Sequence, residues 1–514
     1  MSKTIIIIGA GLAGLSAALQ AAENGCNVKL VSSLPSERAQ SVMAEGGINA
    51  ALNTKDENDS PEEHFTDTIK AACGLADPNA VWGMTQAAPE LVHWLLKLGV
   101  KFNMSGYDDV DLRNFGGQKK KRTAFAQSDT GKQIMTAMID AVRRKEASGM
   151  VERFSHHSFL TLRLCGNICC GCVIRDEYSQ ETVELPGDAV IVATGGMHGL
   201  FGNTTGSLSN TGEVTAELFR LGVPLANGEM IQYHPTTVKC GGKRMLISEA
   251  ARGEGGRLFA MKDGKQWYFM EEKYPELGNL MPRDITAREI WKVSHESEVF
   301  LDMTEISEEI ISNKLSGLAD DCMTYLHKDI RKEPVSVLPG IHYFMGGILV
   351  DEQHRTLIQN LYAAGECCAQ YHGANRLGGN SLLGALYGGR VAAKSACEQA
   401  DVVDLSCATQ IDFPPASQIS EIKQLNKVMQ ETMGVVRNEN TLLNGIQTVQ
   451  ALTGNLPLLG MAVLKSALAR KESRGAHWRE DYPKSNDDDY LKTTVARFDG
   501  KQIQISFVPV PERR

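Results

Sequence analysis

The sequence predicts an α/β fold in which a Rossmann-like domain is interrupted by an inserted α+β capping domain and followed by a C-terminal helical domain. Three observations support this prediction. A β-branched run at 4–8 leads into glycines at G-x-G-x-x-G spacing, a second apolar strand pattern ends in ATGG at 193–196, and apolar residues recur at helical spacing between 419 and 449. With 514 residues, the chain is too long for one hydrophobic core.

The beginning of the chain has the pattern of a strand, a helix and a second strand. Gly9 permits a tight turn, Gly11 leaves room for a pyrophosphate to approach the backbone, and Gly14 lets the helix pack on the strand. The helix that starts at Leu12 would point its free N–H groups at that phosphate. The pattern therefore predicts a dinucleotide site, although Ser32 stands where an acidic ribose ligand is usual.

Composition argues against several classes of function. The net charge of −9 disfavours a nucleic-acid surface, which would have a basic excess. No apolar segment approaches the roughly 20 residues of a membrane span, and the fixed glycine spacing disfavours a signal peptide. The cysteines at 169, 170 and 172 lie in an alternating strand pattern and are interpreted as buried thiols, so no metal site is predicted. We expect a cytoplasmic chain.

The predicted domain boundaries follow changes of pattern along the chain. Strand and helix signals of the dinucleotide-binding domain occupy 1–229 and resume at 341–400. The segment between them, 230–340, has loops, a hairpin-like piece and short helices, and is interpreted as the capping domain. A linker at 401–416, which contains two prolines, precedes a helical domain and tail at 417–514.

Five turns carry histidine, arginine or glutamate beside glycine or proline. They are YHPT at 233–236, SEAARGEGG at 248–256, PRD at 282–284, HYFMGG at 342–347 and HGANRLGGNSL at 372–382. A single histidine in a turn is usually structural. Together, these cations are what a small dianion bound beside a cofactor would need.

The order of these motifs resembles the flavoprotein subunit of fumarate reductase and succinate dehydrogenase, with L-aspartate oxidase as a close relative. The resemblance covers nearly the whole chain, from the N-terminal glycines through AEGGINAAL, FGG, ATGG and GECC to SRGAHWREDYP at 473–483. It implies that the dinucleotide is FAD, bound between the Rossmann-like and capping domains. It also implies an oxidoreductase that reduces fumarate to succinate with a hydride from flavin N5.

The resemblance assigns the substrate-binding residues by motif. His234, His342 and Arg376 would bind the substrate carboxylates, with Ser248 at a position where the family usually has threonine. Charge-assisted contacts of this kind can also twist a carboxylate out of conjugation and polarise the alkene.

The resemblance further implies that Arg283 donates the proton to the second alkene carbon. Glu249 and Arg252 would return the proton to Arg283. Arginine is an unusual acid because its pKa exceeds 12. It can serve when other charges surround it and the transition state is more basic still.

The resemblance also gives a set of FAD ligands, in which Glu213 stands where the family usually has aspartate. The expected ligands are Gly9, Gly11, Gly14, Ser32, Gly47, Glu213, Glu366, Arg376, Ser381 and Leu382.

Two departures from the family pattern stand out. Gln40 aligns with the histidine to which membrane-bound members attach FAD covalently, so we expect a non-covalent flavin. A non-covalent flavin in this family tends to be the stronger reductant, which favours fumarate reduction. Gly384 occupies a position where an acidic residue commonly follows NSLL, and the sequence does not say what this changes.

Other functions remain open at this point. L-aspartate oxidase also lacks the flavin-linking histidine, but it places a glutamate before its GG pair to meet the substrate ammonium, where this chain has Phe115. A phenyl ring offers only a cation–π contact. Reduction of another enoate is a further alternative. A flavin-binding relay subunit with a silent site is disfavoured because His234, Arg283, His342 and Arg376 are all present.

The chain has no haem or iron–sulfur ligand spacing, so its electrons must come from elsewhere. The resemblance implies an iron–sulfur partner subunit as their source. Such a partner would also allow peripheral attachment to the inner face of the membrane.

Overall fold

The computed structural model describes residues 2–106, 109–400, 411, 413 and 418–514. Apart from residues 411 and 413, the predicted linker at 401–416 therefore lies outside the described residues. Among the described residues, no helix is both long enough and apolar enough to cross a membrane.

A five-stranded parallel sheet forms the centre of the dinucleotide-binding domain. Its strands, in spatial order, are Leu361–Ala363, Ala189–Val192, Thr4–Ile8, Asn27–Ser32 and Val151–Ser155. The predicted first strand is the middle strand, and its four isoleucines are buried, as expected for a strand covered on both faces. The predicted strand–helix–strand unit is confirmed, with its helix at Leu12–Glu23.

Helices and two small sheets surround this central sheet. The helices are Leu12–Glu23, Pro61–Ala71, Pro78–Leu98, Thr130–Ala147, Glu213–Arg220 and Asn380–Gln399. One small antiparallel sheet contains Ile48–Asn49, Leu112–Arg113 and Thr123–Ala124, and the other contains His157–Cys165, Ile168–Asp176 and Thr182–Pro186. The second sheet places Cys169, Cys170 and Cys172 in the interior as free thiols, as predicted.

Helices Leu12–Glu23 and Asn380–Gln399 pack backbone to backbone. A Cβ atom at Gly389 would lie 2.3 Å from the carbonyl oxygen of Ala13. The Ser16 hydroxyl donates a hydrogen bond of 2.7 Å to the Leu386 carbonyl in the same contact. Two segments nearly 370 positions apart in the sequence are thereby joined, and both helices begin at the same end of the central sheet.

The capping segment contains two antiparallel sheets and several short helices. The strands of the first sheet are Ile231–Cys240, Lys243–Leu246 and Leu338–Phe344, and those of the second are Arg257–Lys262, Lys265–Trp267, Val299–Asp302 and Val335–Ser336. The helices are Glu249–Gly253, Phe269–Lys273, Arg283–Val293, Glu308–Lys314 and Ser316–Asp321. Leu258, Ile290 and Leu301 belong to its own hydrophobic core.

The C-terminal part begins with three helices, Ile419–Thr432, Glu439–Gln450 and Asn455–Ala469, followed by the short helix Asp487–Tyr490. The periodic residues Leu425, Met429, Leu442 and Val449 are buried in one core, as predicted. Ile419 is the exception, with 74% of its surface exposed, because it is the first residue of its helix.

The tail forms a β-hairpin that the sequence analysis did not predict. Strands Lys492–Phe498 and Ile503–Pro509 extend a sheet whose other strands are Leu225–Ala226, Gly347–Leu349 and Cys368–Ala369. The fully buried Arg470 reinforces this junction, because it donates 2.7 Å hydrogen bonds to Glu229 and to Thr494. The C-terminal part is therefore attached to the dinucleotide-binding domain by both strand pairing and buried charge.

Replacing Gly389 with alanine should destabilise the protein, because the added methyl group would meet the Ala13 carbonyl in the helix contact. Alanine normally favours a helix over glycine by about 1 kcal/mol. We expect the clash to outweigh this gain and cost about 1–3 kcal/mol. Thermal unfolding followed by circular dichroism measures the effect. The control is Gly106→Ala, where the nearest atom is 3.9 Å away, and an equal loss there would contradict the assignment.

Candidate active site

A cavity of about 940 Å³ lies between the glycine-rich turn and the capping segment. Gly9 and Gly11 line it in the dinucleotide-binding domain, and His234 and Arg283 line it in the capping segment. A volume of this size is typical of cofactor and ligand sites. Residues that are far apart in the sequence thus share one cavity.

Most of the site residues predicted from the sequence line this cavity. They are Gly9, Gly11, Ser32, Gly47, Phe115, Glu213, His234, Ser248, Glu249, Arg283, His342, Glu366, Arg376, Ser381 and Leu382. Gly14 and Arg252 do not line it. A Cβ atom at Gly14 would lie 1.8 Å from the Gly9 carbonyl oxygen, so this glycine serves the packing of helix on turn. Arg252 lies behind Glu249, away from the cavity.

The part of the cavity nearest the central sheet fits a dinucleotide. Gly11 precedes the first helix, and a Cβ atom there would meet nothing closer than 3.6 Å, so its backbone is open to a phosphate. The Ser32 hydroxyl is buried and has no hydrogen-bond partner among the described residues. Ser381 and Leu382 belong to the first turn of helix Asn380–Gln399, which also starts at the cavity. The open backbone at Gly11 and the unpaired Ser32 hydroxyl are groups that phosphate and ribose would satisfy.

Buried side chains that the sequence analysis did not identify hold the start of helix Asn380–Gln399. The Asn49 amide donates to the Gly378 carbonyl over 2.7 Å, and its backbone N–H donates to the Gly379 carbonyl over 3.1 Å. His64 Nε2 lies 2.9 Å from the Asn380 side-chain oxygen. Burial, with Arg122 adding to it, lowers the pKa of His64 to about 3, so this histidine is a neutral donor.

Glu249 joins two buried arginines. Its Oε2 atom accepts hydrogen bonds of 2.8 and 2.5 Å from Nε and Nη2 of Arg283, and its Oε1 atom lies 3.3 Å from Nη2 of Arg252. The backbone N–H of Gly116 also donates to Oε1 over 3.1 Å. Burial alone would raise the pKa of Glu249, but Arg283 and Arg252 outweigh it and lower that pKa. Glu249 is therefore ionised at neutral pH.

Gln232 fixes the other side of Arg283, and the sequence analysis missed it. Its amide nitrogen donates to the Asn375 side chain and the Arg376 carbonyl, both over 2.9 Å. Its oxygen must then face Arg283 and accepts from Nη1 over 3.2 Å. Gln232 precedes His234 by two positions on one strand, so strand alternation places both on the same face. This spacing could have identified Gln232.

Two histidines face the cavity side by side. The rings of His234 and His342 are 5.1 Å apart. The Nδ1 atom of His234 lies 3.0 Å from the Thr236 carbonyl, and that of His342 lies 2.8 Å from the Thr205 hydroxyl, which leaves Nε2 of each ring for a ligand. Burial and the nearby Arg283 lower both pKa values well below the usual range. Both rings are therefore neutral at pH 7.

Arg376 is a buried cation without an acidic hydrogen-bond partner in the described part of the chain. Its guanidinium lies 4.4 Å from the centre of the Tyr343 ring, and its Nε atom makes no hydrogen bond among those residues. Burial and repulsion from Arg283 lower its pKa to about 9. A buried guanidinium of this kind is strongly stabilised by an anion.

Several other side chains define the walls of the cavity. The Ser248 hydroxyl caps helix Glu249–Gly253 by accepting from the Ala250 N–H over 3.4 Å. Phe115 is 2% exposed and presents an uncharged ring to the cavity. Glu45, which the sequence analysis did not single out, also lines the cavity, and burial and Asp321 raise its pKa to about 8.

The two departures noted in the sequence lie at this site or beside it. Gln40 lines the cavity, and its side-chain oxygen accepts a 2.5 Å hydrogen bond from the Ser207 N–H. A Cβ atom at Gly384 would lie 3.3 Å from the Tyr371 ring and 3.5 Å from Nε2 of His372. A side chain longer than glycine at position 384 would therefore be directed at those two rings.

Sequence comparison agrees with this geometry. Residues 4–382 match the FAD binding domain family, and residues 452–513 match the family described as fumarate reductase flavoprotein C-term. The chain is 38% identical to the succinate dehydrogenase flavoprotein subunit of Bacillus subtilis, over 100% of this chain and 98% of that protein. This chain belongs to the succinate dehydrogenase/fumarate reductase flavoprotein subunit family. It is an FAD-dependent oxidoreductase.

Other members of the family support the same assignment. The chain is 32% identical to the 8-methylmenaquinol:fumarate reductase flavoprotein subunit of Wolinella succinogenes, over 100% of this chain and 92% of that protein. A solved structure of a variant of E. coli quinol fumarate reductase superposes with a TM-score of 0.90 at 27% identity, covering 99% of this chain and 97% of that one. The predicted family and fold class are thus confirmed for this flavoprotein subunit.

Replacing Glu249 with glutamine should destabilise this flavoprotein at neutral pH, because Arg283 and Arg252 would lose the carboxylate that they share. Removing one partner of a buried ion pair typically costs about 3–5 kcal/mol. The folded-state pKa of Glu249 is lowered, so its contribution is present above its unfolded pKa and lost as the pH falls through the folded value. The difference in the free energy of unfolding between Glu249→Gln and wild type should therefore become smaller at acidic pH.

Thermal unfolding across a range of pH checks this expectation. Glu271→Gln is the control, because Glu271 pairs with Arg257 where the two side chains are 36% and 41% exposed. A pair of this kind contributes at most about 1 kcal/mol. Equal effects of the two substitutions would refute the special role of Glu249.

Proposed function

We propose that this flavoprotein subunit reduces fumarate to succinate. The observation that carries the proposal is the charge of the cluster beside the cofactor. Arg252, Arg283 and Arg376 are buried together with one ionised carboxylate, that of Glu249. Within these four side chains the positive charges exceed the negative by two, which a dicarboxylate dianion would match; Glu366, also at the cavity, attracts the Arg376 guanidinium in addition.

The substrate carboxylates would bind to His234, His342 and Arg376. Each of these side chains lines the cavity, and Arg376 is available to an anion. A dianion would favour protonation of the two imidazoles, whose pKa values are lowered by burial and by Arg283. Contacts of this strength can hold one carboxylate out of the plane of the alkene, which makes the double bond more electrophilic. Ser248 lies at the same wall of the cavity.

When bound, FAD would supply the hydride, from N5 of its flavin. The ligands proposed to hold FAD are Gly9, Gly11, Ser32, Gly47, Glu213, Glu366, Arg376, Ser381 and Leu382, with Gly14 in a packing role.

The proton would come from Arg283. Three of its five N–H groups are occupied by Glu249 and Gln232, so one N–H on each terminal nitrogen remains for the substrate. The Glu249 carboxylate keeps this guanidinium in place, and Gln232 fixes its rotation. An acid held this firmly needs no reorganisation when the alkene carbon becomes basic.

Glu249 and Arg252 would return the proton to Arg283. Glu249 contacts both arginines, with 2.5 Å from Arg283 to Glu249 and 3.3 Å from Glu249 to Arg252. Arg252 also donates to the Asn279 carbonyl over 2.6 Å, and its side chain is fully buried. The relay therefore needs a further proton transfer between Arg252 and solvent.

We propose that FAD is held without a covalent bond. Gln40 carries no nucleophilic nitrogen, and its side-chain oxygen is engaged with the Ser207 N–H. A non-covalent flavin in this family tends to be the stronger reductant, which supports fumarate reduction as the favoured direction. The opposite direction, succinate oxidation, is the second candidate, because a relative with 38% identity is named succinate dehydrogenase.

We further propose that an iron–sulfur subunit delivers the electrons. The described residues contain no group of three or more histidine, cysteine, aspartate or glutamate side chains arranged to hold a metal ion. Attachment to such a subunit at the inner face of the membrane would place this flavoprotein in the cytoplasm. Full-rate fumarate reduction by the purified chain with NADH would contradict the need for this partner.

L-aspartate oxidation fits the site less well than fumarate reduction. An amino-acid substrate would place its ammonium among three buried guanidinium groups, and the ring of Phe115 supplies no carboxylate for it. Reduction of another enoate remains compatible with the same cations, provided that the substrate carries two negative charges.

Fumarate-dependent oxidation of a reduced viologen tests the reaction and its acid together. We expect the wild-type protein to reduce fumarate, at a higher rate than it oxidises succinate. We expect it to form no hydrogen peroxide from L-aspartate. Arg283→Lys should lower kcat by about 10²- to 10⁴-fold, since it removes the proton donor. The FAD absorbance should be kept.

Arg288→Lys is the matched control. Arg288 lies on the same helix, with its guanidinium 4.0 Å from the centre of the Trp478 ring rather than at the cavity. Near-normal turnover of Arg283→Lys would rule out Arg283 as the proton donor. Peroxide from L-aspartate without fumarate reduction would instead identify the oxidase.

Acid precipitation tests how FAD is bound. We expect the yellow colour to leave the protein and appear in the supernatant, because Gln40 cannot form the flavin bond. Absorbance of pellet and supernatant at flavin wavelengths measures the outcome. A yellow pellet that survives washing would show a covalent flavin and overturn this part of the proposal.

A further inference from the structure

Two cysteines from distant parts of the chain meet away from the FAD cavity. Cys26 immediately precedes strand Asn27–Ser32, and Cys397 lies in the last turn of helix Asn380–Gln399. Both are free thiols, and their Sγ atoms are 2.9 Å apart. Cys26 is buried and Cys397 is partly exposed, so Cys397 is the side of the pair nearer to solvent.

Lys3 links the two backbone segments that carry the thiols. Its ammonium donates to the Cys397 carbonyl over 2.8 Å, and its own carbonyl accepts from the N–H of Asn27 over 2.8 Å. The helix contact at Gly389 and Ala13 fixes the same elements farther along. The two sulfur atoms are therefore held together by contacts independent of the sulfurs themselves.

We propose that Cys26 and Cys397 are a redox-responsive pair that a hydroperoxide converts to a disulfide. The distance between the Sγ atoms would shorten from 2.9 Å to the roughly 2.05 Å of an S–S bond. This is a small movement for side chains that already face each other.

The chemistry balances with hydrogen peroxide as the oxidant. The sulfur of Cys397 attacks one peroxide oxygen, the O–O bond breaks, and water leaves after proton transfer, which gives a sulfenic acid. The sulfur of Cys26 then attacks that sulfur, the S–S bond forms, the S–O bond breaks, and a second water leaves. The two thiols lose two electrons and two protons, and the peroxide is reduced to two waters.

The surroundings slow this reaction at neutral pH. Burial and the adjacent Cys26 raise the pKa of Cys397, Glu398 adds to this effect, and the Lys3 ammonium opposes it. The thiolate is the reactive form, so the pair should react faster in alkaline solution than at neutral pH. Formation of the disulfide at neutral pH would therefore need a raised concentration of hydroperoxide rather than a trace amount.

The disulfide would join two elements that both reach FAD. Helix Leu12–Glu23, which leads into Cys26, begins beside Gly11 at the cavity, and helix Asn380–Gln399 begins there with Ser381 and Leu382. A bond between their far ends would resist separation of the two helices, a movement that would loosen their first turns around FAD. We therefore expect the oxidised protein to retain FAD longer. This inference does not depend on the substrate or on the direction of the reaction.

Peptide mass spectrometry of the full-length holoprotein tests the proposal. The protein is treated with hydrogen peroxide, remaining thiols are blocked with N-ethylmaleimide, and the digest is analysed without reduction. We expect a cross-linked peptide containing Cys26 and Cys397, two hydrogens lighter than the separate peptides and absent after dithiothreitol. Recovery of both peptides unlinked, at doses that oxidise the partly exposed Cys240, would overturn the proposal. A cross-link that dithiothreitol cannot open would also overturn it.

Cysteine variants distinguish oxidation of this pair from general oxidation of the protein. Cys397→Ala and Cys26→Ala should each abolish the cross-link, whereas Cys73→Ala, at another partly exposed cysteine, should keep it. FAD fluorescence after dilution into mild denaturant gives the second measurement. Peroxide should slow FAD release several-fold in wild type and in Cys73→Ala but not in Cys397→Ala. An equal change in Cys397→Ala would show that the effect on FAD does not come from this disulfide.

Discussion

The ionised carboxylate of Glu249 is the interaction on which the active site depends. Arg283 and Arg252 are both buried, and both would be strongly destabilised without an anion between them. Glu249 compensates part of their charge and leaves the rest available to a substrate. The same contacts fix the geometry of Arg283, because two of its nitrogens are bound to one carboxylate oxygen. The stability and the orientation of Arg283, the proposed acid, thus come from one group.

The dinucleotide-binding domain brings this cluster to the cofactor through backbone packing. The contact between Gly389 and Ala13 aligns two helices whose first turns both line the cavity. The His64 and Asn49 side chains then hold the start of the second helix, at Gly378 to Asn380. The backbone carbonyl of Arg376, two residues before Gly378, accepts from Gln232 of the capping segment. The position of Arg376, a proposed substrate ligand, is therefore coupled to the position of helix Asn380–Gln399.

Much of the fold could be predicted from the sequence, because its signals are local. The β-branched run at 4–8 and the glycine spacing after it identified the central strand and its helix, and helical periodicity identified Leu425 and Leu442 as core. The tail hairpin had a local signal, Asp499-Gly500 between two strand-like runs, which the sequence analysis did not use; what no local pattern records is that Lys492–Phe498 pairs with Leu225–Ala226. Gln232 was missed although its spacing from His234 was a usable signal. Glu45 was missed because its raised pKa depends on burial and on Asp321, which only the folded chain brings near it.

The charge of the site is what distinguishes its candidate substrates. A neutral ligand would leave the Arg376 guanidinium without an anion in a region where burial already lowers its pKa to about 9. An amino acid with two carboxylates would compensate the cations only partly, because its ammonium adds one more positive charge. A dicarboxylate without an amine compensates them fully and can also favour protonation of His234 and His342, which are neutral in its absence. If the dianion binds as proposed, its binding and the charging of these two histidines would be coupled, and that coupling would concentrate positive charge at the carboxylates only when the substrate is present.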